Sequence, residues 1–261
     1  MYFAIVIPII ALLAWIIFRK KSNQPNLAAA NLQPLEPSLK KLLDSHIDYY
    51  HRLSSKEKKR FESHIAGFLA YVRIEGVGTE ITDVDKIMIA SAAIIPVFGL
   101  GDWEYSNLTS VILYPDTFDK EYQFEGNDRA IQGMVGSGYM NGQMILSRPS
   151  LEKGFSPMAG KENTGIHEFV HLVDKSDGAT DGIPENLMPN DFATPWLKLM
   201  HQEMHRIKEG HSDINPYALT NEAEFLAVAS EYFFEKPDQF KQKHPELYQQ
   251  LSSIFRQKPA Q

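Results

Sequence analysis

GIHEFVHLVD, residues 165–174, sets two histidines four positions apart, with a glutamate directly after the first. On a helix, positions i and i+4 share one face, so His167 and His171 can reach one ion, and Glu168, one step round, can reach a water on it. Phe169, Val170, Leu172 and Val173 surround the pair with apolar side chains. The pattern therefore predicts a buried helix, and buried imidazoles and a buried carboxylate need partners. The plainer alternative is a core helix whose histidines are merely hydrogen-bonded. A second pair, His201 and His205 in KLMHQEMHRIKEGH, has the same separation, but Glu203 follows one intervening residue and the neighbours are strongly charged. That stretch reads as a solvated helix face.

A catalytic zinc takes three protein ligands and leaves a position for water. LTNEAEFLAVASEYFFEKP, residues 219–237, reads as a helix capped by Thr220 or Asn221 and followed by Pro237. Glu224 and Glu231 are seven apart on it and share a face set among Phe225, Leu226, Val228 and Phe233. A carboxylate on such a face needs a cation or donors. Either glutamate can be the third ligand, and the other a group supporting it. Asp174 is a rival ligand, better suited to orienting a histidine or capping its helix.

The rest of the chain frames this site. It has 261 residues, 43% hydrophobic and 23% charged, with a formal charge of −7 and no long block of Lys and Arg. That balance argues against nucleic acid as the main partner. There is no cysteine, so any metal must take His, Asp or Glu ligands, a set that suits zinc. Residues 2–18, YFAIVIPIIALLAWIIF, carry no charge, and Arg19, Lys20 and Lys21 follow them. The run is at the short end for a membrane span. Its charge comes after it, unlike in a signal peptide, and the positive-inside rule then puts the N-terminus outside and the remainder in the cytoplasm. The expected organisation is a membrane anchor over 1–21, a proline-containing linker over 22–37 and a folded domain over 38–258.

Within that domain the expected class is α+β, mostly helical with a small sheet. Ser54 with Glu57 and Thr82 with Asp85 are capping-box signatures that open two helices. The first of these helices is expected to run on through VRI, residues 72–74. SVILYPDTF (110–118) and QMILS (143–147) read as strands. The polar, Gly-rich stretch between them reads as a hairpin or loops.

LGLGDWEY with VILYPDTF, then HEFVHLVD, then NPYALTNEAEFLAVASEYFFEKP together resemble the Mlc titration factor A family of bacterial zinc peptidases, over roughly residues 40–250. The resemblance implies a gluzincin-like, zincin-type peptidase domain. It implies zinc (Zn2+) held by His167, His171 and Glu224, with Glu168 as general base. Tyr217 falls where the family has a tyrosine and would polarise the oxyanion, and Glu231 would stand behind the ligands. A peptide or protein is the implied substrate. The family's regulatory role, binding a glucose-responsive repressor, implies a transcriptional regulator as a possible partner. The N-terminal span departs from the family's usual members and adds the expectation of a single-pass inner-membrane protein with its catalytic domain in the cytoplasm. A second expectation, from another functional class, is a membrane-tethered regulator that sequesters a partner and holds only a structural or vestigial zinc.

Overall fold

In the order of the chain, the first elements are α1 (Pro37–His46), α2 (Asp48–His51), α3 (Ser55–Tyr71), β1 (Arg73–Gly76) and α4 (Asp83–Val97). Three strands follow, β2 (Ser110–Tyr114), β3 (Gly133–Val135) and β4 (Gln143–Ser147), then α5 (Arg148–Gly154) and α6 (Thr164–Asp174). The chain closes with α7 (Ala193–Lys208), α8 (Glu222–Glu235), α9 (Pro237–Lys243) and α10 (Pro245–Phe255). The computed structural model describes residues 34–126, 129–136, 138–189 and 191–260. The apolar run at 2–18, read as an anchor, lies outside the described residues, as do residues 22–33 of the linker. Among the described residues no helix is long and apolar enough to cross a membrane.

The fold is α+β, mostly helical, with one small mixed sheet of order β1-β2-β4-β3. β1, β2 and β4 run parallel, and β3 lies antiparallel on the edge beside β4. Both capping boxes form. Ser54 accepts from the Glu57 amide and Thr82 from the Asp85 amide, and each carboxylate returns a bond to the cap residue's own amide. These reciprocal bonds satisfy amides that the first helical turn leaves without partners. The helix opened by Ser54 stops at Tyr71, short of the expected end. Arg73 and Ile74 instead pair with Ser110 and Val111 of β2, because Val72 and Ile74 are β-branched and a free strand edge beside them offers a ladder that suits them better than another helical turn.

α4 is buried along nearly its whole length, from Ile87 to Val97, as its all-round apolar sequence requires. It packs against α1, α3 and α6. α6 in turn is wedged between α4 and α8 and touches β3. Two of the most buried helices thus carry the residues picked out above, while the sheet lends only its edge.

α7 corrects one expectation. His201 and His205 do point outward, to Glu222 at 3.1 Å and Glu209 at 3.2 Å. Glu203, between them, turns inward and is buried. It pairs with Arg206 at 2.9 Å and with His244 Nδ1 at 3.1 Å. The other nitrogen of His244 bonds Asp213 at 2.8 Å. Asp213 also accepts from Lys161 at 2.5 Å, Lys243 at 2.8 Å and the Tyr232 hydroxyl at 3.0 Å. This network pins the segment between α7 and α8 that leads into Tyr217.

Partial burial of Asp213 would raise its pKa, but Lys161, Lys243, His244 and Tyr232 together hold it well below the usual carboxylate value. Burial would lower His244, and Glu203 and Asp213 outweigh that and raise it. A depressed carboxylate stabilises above its unfolded pKa, and a raised imidazole stabilises below its own. Both contributions are complete between about pH 4 and 6.5. Asp213→Asn is therefore expected to lower the thermal midpoint by about 5 °C at pH 5.5 and by much less near pH 2. Unfolding scans across pH check this, and equal midpoints at pH 5.5 would contradict it.

Candidate metal centre

Asn163 starts the site. Its side chain caps α6 by accepting from the Ile166 amide at 3.1 Å, and the side-chain amide donates to Gly154 O at 3.1 Å and Glu235 at 2.9 Å. Its backbone amide donates to Glu231 at 2.5 Å. α6 is thereby fixed at its first turn to α8. Asn221 does the same for α8, accepting from the Glu224 amide at 2.9 Å. That places Glu224 in the first turn, where the helix dipole favours a carboxylate.

His167, His171 and Glu224 converge. One ligand atom from each lies within 4.8 Å of the others. His167 Nε2 stands 2.9 Å from Glu224 Oε2 and 3.1 Å from His171 Nε2, and His171 Nε2 stands 3.5 Å from the same carboxylate oxygen. Tetrahedral zinc with ligand bonds of about 2.0–2.1 Å sets its ligand atoms roughly 3.3–3.4 Å apart. The triangle matches those edges to within a few tenths of an ångström. Its donor set, two imidazole nitrogens and one carboxylate, is one that zinc peptidases use.

The electrostatics of the triangle agree with this fit. Burial alone would lower the His167 pKa, but Glu224 and Glu231 outweigh it and push it up. Burial would raise Glu224, and His167 with His171 pull it down. Positive charge is thus demanded at the centre of the triangle, where a proton or a metal ion can provide it.

Glu231 is buried behind the triangle and bonds His167 Nδ1 at 2.8 Å. This orients the ring so that Nε2 faces Glu224 and His171. Asp174 stays out of the triangle. It is buried at the end of α6 and accepts from the Gly182 amide at 2.8 Å, and burial pushes its pKa up to about 6. Its second oxygen and His171 Nδ1, one turn back, are both buried without a hydrogen-bond partner among the described residues.

A cleft of about 550 Å³ opens over the triangle, lined by His167, Glu168, His171, Tyr217 and Glu224 together with β3. Glu168 is buried at its floor, and burial raises its pKa. Tyr217 stands at the rim, 54% exposed, with its ring 6.1 Å from that of His167. The five residues that the resemblance assigns to metal and catalysis thus line one cleft, while Glu231 and Asp174 are not in its lining.

Gly133 gave no sequence signal, yet it shapes the floor. A Cβ there would lie 2.6 Å from Glu168 Cγ and 2.8 Å from Oε1, well inside van der Waals contact. Because the obstacle is the far end of a flexible side chain, Gly133→Ala is expected to leave fold and metal binding intact and to displace the carboxylate. Any hydrolysis that depends on the Glu168 carboxylate should fall about tenfold or more, measured beside metal content. Unchanged hydrolysis would show that Glu168 does not need its observed position.

Residues 18–256 match the model of the glucose-regulated metallo-peptidase M90 family. The chain belongs to that family. Mlc titration factor A of Klebsiella pneumoniae subsp. pneumoniae is 30% identical over 222 residues, which is 79% of this chain and 82% of the relative. Mlc titration factor A of Escherichia fergusonii is 30% identical over 228 residues, 82% of this chain and 84% of the relative. An uncharacterized protein of Synechocystis sp. is 29% identical over 238 residues, 85% of each. The resemblance carried by the three motifs is borne out, and with it a metallopeptidase-type domain. The M90 match begins just inside the end of the apolar N-terminal run.

Proposed function

We propose that the chain is a gluzincin-like zinc peptidase. The convergence of His167, His171 and Glu224 to within 4.8 Å carries this reading, and membership of a metallo-peptidase family supports it. His167, His171 and Glu224 would hold the ion. Zinc held there would supply Lewis acidity, acidifying water toward a pKa of about 7 and polarising a carbonyl.

The chain's own residues do the rest. Glu168 takes a proton from water as the water oxygen bonds to the scissile carbonyl carbon, then gives that proton to the departing amine as the C–N bond breaks. Its raised pKa suits both directions of transfer, since a carboxyl nearer neutrality both accepts and returns a proton readily. The Tyr217 hydroxyl donates to the oxyanion. Glu231 holds His167 in the tautomer that leaves Nε2 free for the ion.

Residues 2–18 are read as a transmembrane helix, and Arg19, Lys20 and Lys21 as its cytoplasmic flank, which places residues 38–258 on the cytoplasmic side of the inner membrane. A second reading, a tethered regulator that sequesters a transcription factor, is favoured by the relatives named Mlc titration factor A. The two readings part on one experiment. The full chain is incubated with a peptide mixture and the new termini are identified, with and without a zinc chelator. Chelator-sensitive new termini support the peptidase. Their absence from the untreated chain favours the regulator.

A further inference from the structure

A second cavity, of about 360 Å³, lies between the first helices and the C-terminal tail and shares no lining residue with the metal cleft. Arg52, Arg60, Arg256 and Lys258 line it, against a single carboxylate, Glu57. In a chain of formal charge −7, this concentration of cations calls for a reason. Glu57 is already engaged, because its carboxylate closes the capping box by accepting from the Ser54 amide at 2.9 Å and the Ser54 hydroxyl at 2.5 Å. Among the described residues none of the four cations has a carboxylate within ion-pair distance.

The cations are held in place. The Arg60 guanidinium sits 4.1 Å from the centre of the Phe98 ring, a cation–π contact that fixes its plane. Arg52 donates from Nη2 to Phe234 O at 2.8 Å, which fixes its guanidinium at the wall. The tail that carries the other two cations is a fixed wall. Gln257 donates to Ile95 O at 2.8 Å and accepts from the Tyr49 hydroxyl at 2.5 Å, and the Ala260 amide donates to the Tyr248 hydroxyl at 3.1 Å. A Cβ at Gly99 would lie 2.3 Å from Phe255 O, so only glycine lets the tail come this close. Arg256 ends α10 with φ +50, a left-handed position usually given to glycine. There it turns a cation toward the cavity instead.

We propose that this cavity binds a phosphate-type oxyanion. Its planar guanidinium donors match phosphate oxygens, and its volume falls in the range of small-molecule sites, about 300–1,000 Å³. That volume leaves room for an organic body beside the anion. A soluble phosphate ester and a phospholipid headgroup both present that chemistry.

The full chain, purified in neutral detergent, is titrated calorimetrically with glycerol 3-phosphate and with dihexanoyl phosphatidic acid, which differ only in the acyl chains. The expected result is saturable binding of one per chain. In Arg60→Gln/Lys258→Gln it should be weakened about 100-fold, as two charged hydrogen bonds at roughly tenfold each imply. Both positions are exposed, and an unchanged thermal midpoint verifies the fold. Lys258→Gln alone, on the tail, should lose about tenfold. Comparable binding of both compounds assigns the site to soluble phosphate esters, and binding of the lipid alone assigns it to a headgroup. No saturable binding of either compound, or equal binding by the wild type and the folded double variant, would overturn the proposal. Phosphate taken up by the metal cleft would show as that equality.

Discussion

Replacing Glu168 by glutamine is expected to lower peptide hydrolysis by about 10²- to 10⁴-fold, the scale of general acid–base catalysis, while one metal ion stays bound. Glutamine keeps the size and reach of the side chain and loses only the proton-accepting oxygen. Glu168 is not among the three groups that converge on the ion site, so the ion has no reason to leave. Stability should hold or rise slightly, because burial of the carboxylate, with Glu224 and Glu231 nearby, outweighs the pull of His167 and His171 and raises its pKa, and neutralising it relieves that net cost. Rates and metal content on the same preparation check this. Activity that survives the change would move the base elsewhere, and a large loss of stability with no loss of rate would make the HEFVH turn structural.

The second large effect separates two glutamates. Glu224→Ala is expected to abolish metal binding at micromolar metal. Glu231→Ala should keep the ion and weaken its affinity by about 10- to 100-fold, the usual cost of losing a group that orients a ligand. Glu224 stands within 3.5 Å of both histidine Nε2 atoms, whereas Glu231 reaches only the far nitrogen of His167. Competition against a chelator of known affinity measures both variants. The reverse ranking would interchange the roles of the two residues.

Much of this was legible because it is local. The capping boxes at Ser54 and Thr82, a cap at Thr220 or Asn221 (it is Asn221), the strand at 143–147, the strand read over 110–118 that in fact ends at Tyr114, and the helix around His167 each rest on residues within a few positions of one another. Where neighbours in space decide, the sequence is silent. The choice between Glu224 and Glu231 depends on the crossing of α6 and α8, and helical spacing alone puts both on the same face. Glu203 looked solvated among charged neighbours, and it turns inward because His244 and Arg206 meet it there. β1 was hidden in the apolar tail of α3, since Arg73 and Ile74 become a strand only through β2. β3 is three residues of edge strand, too short to leave a periodicity, and Gly133 matters only because Glu168 approaches it from another element. Asn163 reads as an ordinary polar residue, yet it joins α6 to Glu231 and Glu235. The residues that chemistry would use were visible as types, as were Glu231 and Asn221 behind them, whereas Asn163 and Gly133, which also shape the site, were not.

The central claim is that one metal ion at His167, His171 and Glu224 makes the chain a peptidase. Its most direct test is a titration of zinc into the metal-free full chain, with bound metal and peptide hydrolysis read on the same samples. The expected result is that both rise together and level off at one zinc per chain. Hydrolysis by the metal-free chain, or zinc binding that saturates with no hydrolysis of any peptide offered, would contradict it.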